Sequence, residues 1–289
     1  MTSLTVDQMA VNTQKHSLEQ EVNAYLLTTA SGNALLIDAG YEDTTTFIYE
    51  FTKHREATIQ GIYLTHYHPD HSLGAPELAQ KFNCPIHCHP LEYPRLTSLY
   101  EQHGIPVQNL DIRADLIPTS KIILEDHTLD IVFTPGHTHG HIALYDSLTQ
   151  VLFTGDTVIP GGTVWIGPPD GHLADYLQSL DALCAFSPKL VYPGHGAVTH
   201  DPVPLMLRMK ERRLLREQQI LHFIKQTPQS IEQITKELYR GSIREDMLWV
   251  AKKTVQGHLQ KLIDERQVTL SYDSLTFNAL YRANERPEV

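Results

Sequence analysis

Cysteine is scarce in this chain, long apolar runs are missing, and the first two thirds hold few basic residues. Three cysteines (Cys84, Cys88 and Cys184) are too few and too odd in number for a disulfide framework, so a reducing, cytoplasmic setting is expected. No apolar run approaches the ~18–20 residues of a membrane span. The opening MTSLTVDQMAVNTQK has no basic segment leading into an apolar one, which argues against a secretory signal. No serine-nucleophile signature, phosphate-binding loop, solenoid repeat or low-complexity tract occurs. Disorder is excluded by composition: 41% of the 289 residues are hydrophobic and 20% charged, enough to build a sizeable core. That length predicts one large domain or two unequal ones.

Histidine is abundant. There are 17, and 15 of them precede Pro204. Residues 1–204 carry 8 basic and 23 acidic side chains, net −15; residues 205–289 carry 15 and 11, net +4. Charge and histidine content shift at the same place, which predicts a boundary between domains 1–204 and 205–289. Bound divalent cations would offset part of the negative charge of the first.

The pattern of the first segment is that of strands with interspersed helices. Asn23–Thr28 and Ala34–Asp38 read as a hairpin. Ile59–Thr65, Pro85–His89, Ile122–Leu124, Leu129–Thr134, Ile142–Tyr145, Val151–Phe153 and Lys189–Tyr192 read as short strands. Thr44–Arg55, Ala75–Phe82 and Leu173–Cys184 have helical spacing. Beyond residue 204, Arg208–Lys225, Ser230–Tyr239 and Asp246–Glu265 read as helices. Ser230 and Gln233 stand at capping-box spacing. Val268–Tyr272 and Leu275–Leu280 then alternate like a small hairpin around Asp273-Ser274. Three helices and a two-stranded wing suggest a winged-helix module.

The chemistry concentrates in Thr65-His66-Tyr67-His68-Pro69-Asp70-His71. His66 and His68 lie two apart at a strand end, which in extended chain puts both imidazoles on one face. Asp70 and His71 follow Pro69, where the chain must turn. Imidazole and carboxylate are ligands that zinc takes, at about 2.0–2.2 Å. Three more segments share the grammar of apolar strand, small-residue turn and ligand-type side chain: Thr134-Pro-Gly-His137-Thr138, Phe153-Thr-Gly-Asp156-Thr157 and Tyr192-Pro-Gly-His195-Gly196. The residues alone do not choose among His137, His139 and His141. The cluster Cys84-Pro-Ile-His87-Cys88-His89 is read as structural, because strand alternation sends Cys88 away from His87 and His89.

The order HxHxDH, PGHT, TGD, PGHG resembles the metallo-β-lactamase superfamily of metal-dependent hydrolases, over about residues 20–200. The chain as a whole is similar to the lactamase-β-like subgroup with a C-terminal winged-helix domain, which includes an endoribonuclease. The resemblance implies an α/β fold: a four-layer αββα sandwich, followed by the small winged-helix domain, with a dinuclear site at one sheet edge. It implies that His66, His68 and His137 hold one metal, that Asp70, His71 and His195 hold the other, and that Asp156 bridges them. It selects His137 over its neighbours, leaving His139 and His141 behind the ligands or at the surface. Asp38 takes the place of an aspartate that supports a ligand histidine.

The cofactor expectation is two divalent ions, zinc foremost, with iron or manganese as alternatives. The expected activity is hydrolysis by a metal-bound hydroxide, with Asp70 orienting it or moving its proton. A small ester, thioester or lactone is the expected substrate, under the loop Pro160–His172, with Trp165 and His172 as candidate contacts. The alternative is an endonuclease acting on RNA or DNA phosphodiesters, which would give this chain a nucleic-acid partner. The acidic first segment opposes polyanions by long-range repulsion. A third reading is a regulator whose winged helix binds DNA; the intact ligand set argues against a vestigial site. No membrane partner is expected, and a second copy of the chain is a candidate partner.

Overall fold

The computed structural model describes residues 4–13, 21–162, 164–241, 243–274, 276 and 278–284. One six-stranded sheet runs, in spatial order, β1 (Thr5–Val11), β2 (Val22–Thr28), β3 (Asn33–Ile37), β4 (Thr58–Tyr63), β5 (Ile86–His87) and β6 (Ile112–Arg113). A second holds β7 (Lys121–Leu124), β8 (His127–Phe133), β9 (Ile142–Asp146), β10 (Val151–Gly155), β11 (Leu190–Pro193) and β12 (Thr199–His200), also neighbours in chain order. The first-segment helices are α1 (Thr45–His54), α2 (Pro69–Ser72), α3 (Ala75–Phe82), α4 (Tyr93–Gln102) and α5 (Leu173–Ala185).

Side-chain alternation sorts the strands into layers. Tyr25, Leu27, Leu35 and Ile37 point one way and pack with Ile131, Ile142, Leu144 and Phe153, forming the core between the sheets. Their neighbours Ala24, Leu26, Ala34 and Leu36 point the other way, into a core with Ile48 of α1, Leu78 of α3 and Leu96 of α4. Ala143 and Tyr145 face Tyr176, Leu180 and Leu183 of α5. Helix, sheet, sheet, helix is thus the layer order, the expected αββα sandwich. Strands covered on both faces lose the polar alternation of a half-exposed sheet, which explains the apolar runs in β2 and β3.

Helix α6 (Val203–Gln226) begins earlier than the sequence pattern indicates and continues for 24 residues. The division at 204/205 falls in its first turn. Met206 belongs to the α5 core, whereas Ile220 and Ile224 belong to a separate core with Ile234, Val255, Leu259 and Leu262. One helix therefore enters both cores. It is followed by α7 (Ile231–Leu238), α8 (Leu248–Asp264), β13 (Val268–Tyr272) and β14 (Ala279–Ala283). The capping box at Ser230 and Gln233 is formed in both directions. The hairpin differs from expectation: Tyr272 pairs with Ala279, so β14 starts four residues late and the turn is longer than Asp273-Ser274. Asp273 Oδ1 accepts from the Thr276 N–H at 2.7 Å, a side-chain-closed turn. Residues 275 and 277 lie outside the described residues.

Two further elements carry weak sequence signals. β1 is an edge strand of mixed polarity, and α4 buries only Leu96 and Tyr100. Among the described residues no helix is long and apolar enough to cross a membrane.

Candidate metal centre

β8 and β10 both run antiparallel to β9, and β11 runs parallel to β10. Three strands of the second sheet therefore end at the same edge. His137 follows β8, Asp156 follows β10 and His195 follows β11. In the first sheet β3 and β4 are parallel. Asp38 follows one, and the segment His66–His71 follows the other. The chain turns at His68, and Pro69 opens α2 where no backbone N–H is needed. Every residue of the motif set thus lies just beyond the carboxyl end of a strand.

The side chains meet at one place. His66 Nε2 is 3.1 Å from His68 Nδ1, and His137 Nε2 is 2.9 Å from the same atom. His195 Nε2 is 3.2 Å from Asp70 Oδ2, and His71 Nε2 is 3.5 Å from it. Asp156 faces both groups: Oδ1 is 3.3 Å from His71 Nε2 and 3.5 Å from His195 Nε2, while Oδ2 is 3.5 Å from His137 Nε2.

Three observations test whether divalent cations suit these residues. The first is the ring nitrogens that point away from the centre. His137 Nδ1 donates to the Trp165 carbonyl at 2.8 Å and His195 Nδ1 to that of Glu21 at 2.7 Å; His71 Nδ1 meets Asp38 Oδ2 at 2.8 Å. A neutral imidazole with its proton on Nδ1 presents a lone pair at Nε2, here aimed inward. The second is unmet demand: His71 Nε2 and Asp156 Oδ1 are buried without a hydrogen-bond partner among the described residues. Buried polar atoms are rarely left so. The third is spacing. Ligand atoms held tetrahedrally at about 2.0–2.1 Å from one ion lie about 3.3 Å apart, close to the separations seen here. The donor set fits.

The electrostatics divide the site in two. Burial, reinforced by neighbouring imidazoles, pushes His66 and His68 down and His137 to about 4, so all three are neutral, the ligating form. Burial would also lower His71 and His195, but the carboxylates outweigh it: Asp70, Asp156 and Asp38 raise His71, and Asp156 and Asp70 raise His195 to about 10. Asp70 answers in kind: burial would raise it, and His71 and His195 hold it at about 2. The carboxylates that raise His71 and His195 make this half of the site favourable to positive charge, which a cation would supply.

Four groups hold the candidate ligands from behind. Asp38, at φ 56°, accepts from the Thr65 N–H at 2.8 Å through Oδ1 and contacts His71 through Oδ2. It therefore contacts both ends of the Thr65–His71 segment. His141 is buried, and its Nε2 accepts from the Asp156 N–H at 3.1 Å; His139 is exposed. Glu92 and Asp170 carry no motif and were not legible in the sequence. Glu92 is buried at the start of α4. Its Oε2 accepts from the Tyr67 N–H at 2.9 Å, and its Oε1 accepts from Thr138 Oγ1 at 2.9 Å and the Gly140 N–H at 2.7 Å. One carboxylate so ties the His66–His68 segment to the His137 turn. A Cβ at Gly140 would lie 2.7 Å from Glu92 Oε1, so only glycine allows that approach. Asp170 pairs with Arg95, accepts from the Tyr67 hydroxyl, and places Oδ2 3.8 Å from His68 Nε2.

Trp165 lies against the centre, its ring stacked on His68 with centroids 6.3 Å apart. His172 is turned elsewhere, 2.8 Å from Asp175 Oδ2 and 3.6 Å from Asp264 Oδ2. In the discounted cluster Cys88 is buried in the α1–α3 core, and His87 contacts Asp115 at 2.9 Å. All three cysteines are free.

A model of the Metallo-beta-lactamase superfamily matches residues 19–195. The chain is 30% identical to a Beta-lactamase-like protein 2 homolog of Drosophila melanogaster, over 87% of this chain and 85% of that one. It is 31% identical to an atrochrysone carboxyl ACP thioesterase of Aspergillus fumigatus over 70% of its length, and spans 59% of that protein. Among solved structures, a beta-lactamase domain protein from Burkholderia ambifaria superposes with a TM-score of 0.81 at 20% identity, over 96% of this chain and 91% of that one. A metallo-beta-lactamase family protein from Thermus thermophilus gives 0.76 at 21% identity, over 96% and 98%.

Proposed function

The chain belongs to the metallo-β-lactamase superfamily and is a metal-dependent hydrolase, and from that premise we propose that it cleaves a small ester, thioester or lactone at a dinuclear centre. The observation that carries the reading is Asp156, whose two carboxylate oxygens face two separate groups of ligand-type atoms. His66, His68 and His137 would hold one ion, Asp70, His71 and His195 the other, with Asp156 between. Zinc is the ion we assign, on the imidazole-rich donor set. Bound there, two divalent ions supply Lewis acidity towards the scissile carbonyl and bring a water's pKa towards neutrality.

The chain's own residues do the rest. Asp70 has the more exposed of the set's two carboxylates, its side chain 21% accessible, and stands where it can orient an attacking water. Asp38 and Glu92 keep the ligand segments in register before substrate arrives. Trp165 gives the centre an apolar wall that excludes bulk water. Support for a small acyl substrate comes from the net −15 of residues 1–204 and from the thioesterase named among the relatives. An endonuclease acting on RNA or DNA is the second reading, favoured by the net +4 of residues 205–289.

We assign residues 205–289 to a winged-helix-like domain that braces the catalytic one. The loop after β10 and helix α5 are among its contacts. Arg213 of α6 donates to the Val164 carbonyl, and the Trp165 and Trp249 rings lie 6.2 Å apart. A Cβ at Gly257 would come 2.7 Å from the Ile166 carbonyl oxygen. We place the protein in the cytoplasm, free of membrane partners, with self-association as its candidate assembly. The test is metal analysis of purified protein, followed by a panel of p-nitrophenyl esters, thioesters, lactones, cephalosporins and RNA. Hydrolysis of RNA alone would replace the first reading with the second.

A further inference from the structure

Helix α6 carries Arg208, Arg212 and Arg216 at four-residue intervals, one stripe on the helix, with Arg213 beside them. In a chain of net charge −11, none of these four is paired with a carboxylate among the described residues. Glu211 borders the same surface but forms no ion pair with them. Arg216 instead donates to the Leu238 carbonyl at 3.3 Å and lies 4.6 Å from the Tyr239 ring centroid. Arg213 is 7% exposed, with a carbonyl and the Tyr176 ring for company. Burial lowers its pKa, and Arg212 and Arg216 add to that against the pull of Tyr176 and Tyr239. Four like charges, bordered by Glu211 but not paired with it, repel one another, a cost that an anionic ligand lowers.

The arginines line two adjoining cavities. One, of about 260 Å³, is bordered by Gly161, Gly162, Arg208, Arg212 and Arg213. The other, of about 160 Å³, shares Val164, Arg212 and Arg213 with the first and adds Arg216 and Trp165. Trp165 is also the residue whose ring stacks on His68. Its Nε1 donor is buried without an acceptor among the described residues. A single indole therefore borders both the arginine groove and the candidate metal centre.

We propose that this groove binds the phosphate end of a phosphorylated pantetheine arm, whether that of coenzyme A or of a carrier protein, and that the arm passes along Trp165 to present a thioester at the metal centre. The proposal rests on the hydrolase reading above and narrows its substrate class. Guanidinium groups pair with phosphate oxygens through parallel N–H bonds, which suits the localised charge of the arm's phosphate. The net −15 of the neighbouring segment acts along the whole of a long nucleic acid, whereas a small headgroup feels chiefly the charges within a screening length of about 8 Å, here the arginines.

The test is calorimetric titration of the full-length, metal-loaded protein with thioethers that cannot be hydrolysed. S-methyl-coenzyme A, S-methyl-phosphopantetheine and S-methyl-pantetheine are compared. Binding of the two phosphorylated probes at least about tenfold tighter than that of the phosphate-free one is expected. The double variant Arg208→Gln/Arg212→Gln, at two exposed positions, is expected to lose that difference while keeping its metal content. An advantage of S-methyl-coenzyme A over S-methyl-phosphopantetheine points to the nucleotide as source; equal binding points to a carrier-borne arm. Equal affinity for all three probes, or an unchanged double variant, overturns the proposal. So does tighter binding of single-stranded RNA that the double variant abolishes. Because binding is read without turnover, hydrolysis of simple thioesters without phosphate-dependent binding sinks this inference and spares the hydrolase reading. Phosphate-dependent binding without hydrolysis of any thioester in the panel overturns the thioester half of the inference and leaves esters and lactones to the hydrolase reading.

Discussion

Asp38 Oδ2 lies 2.8 Å from His71 Nδ1, while Oδ1 of the same carboxylate accepts from the Thr65 N–H at 2.8 Å. One side chain, held at a left-handed φ of 56°, thus orients a candidate ligand and anchors the segment that carries three more, His66, His68 and Asp70. Asp38→Asn keeps an acceptor for Thr65 and removes the negative charge from His71. Groups that orient a ligand histidine typically matter about 10–100-fold in metal affinity. We expect the ion held by Asp70, His71 and His195 to weaken by that order while the other stays bound. Chelator competition with elemental analysis reads this directly; two ions retained at unchanged affinity would contradict it.

Glu92 should matter as much to stability as to activity. Removing it as Glu92→Ala strips partners from the Tyr67 and Gly140 N–H groups and from Thr138 Oγ1. An unsatisfied buried donor costs about 1–3 kcal/mol, so a loss of several kcal/mol is expected. Glu92→Gln preserves one acceptor oxygen and should fall between wild type and Ala in thermal midpoint, with metal affinity following the same order. A Glu92→Ala protein as stable as wild type would show that the two ligand segments hold together without it.

These two positions also mark where sequence reading ends. His66, His68, Asp70, His71, His137, Asp156 and His195 were legible because each stands at the end of an apolar strand or just past the proline or glycine turn that follows it, and that local grammar survives in one dimension. Asp38 was legible through the resemblance. Glu92 was not: it precedes Tyr93-Pro94 in an ordinary helix start, and its partners lie 25 to 48 residues away. Asp170 likewise gains its role through Arg95 and Tyr67, far away in the chain. Conversely His139 and His141 look alike in sequence. Only the fold sends one to solvent and the other behind Asp156.

Asp156 separates the candidate ligands from their neighbours experimentally. Its two oxygens face both groups, so Asp156→Ala should lower bound metal at both positions and abolish hydrolysis. The exposed His139→Ala should retain metal at the wild-type level. His141→Ala falls between, since it removes the acceptor for the Asp156 N–H but no inward-facing ring nitrogen of the cluster. Elemental analysis of the three purified variants decides. Metal lost from His139→Ala and kept by His137→Ala would reverse the assignment at the turn after β8.

The C-terminal core should loosen in acid before the sandwich does. Lys261 Nζ is 2.9 Å from Glu217 Oε1 and 2.8 Å from Glu265 Oε1, and the buried His258 stands 4.0 Å from Glu217 Oε2. Burial lowers the His258 pKa below 6.5, more than Glu217 can restore. The unfolded chain therefore takes up a proton at this histidine before the folded one does, and stability falls as pH drops through 6.5. Glu217 acts at lower pH. Burial would raise its carboxyl, but His258 and Lys261 hold it below 4.5, so its contribution is present above 4.5 and is lost as pH falls further. Both terms have the same sign on acidification. Trp249 fluorescence and hydrogen exchange of α8 should report opening beginning near pH 6, while amides of β2 and β9 stay protected. His258→Leu removes the first titration and should shift the onset to the Glu217 range. Glu217→Gln removes the second and also leaves Lys261 with Glu265 as its one carboxylate partner, so this variant starts less stable at neutral pH. Simultaneous opening of α8 and β9 in wild type at every pH would show that α6 couples the two cores into one cooperative unit, and would refute the ordered loss.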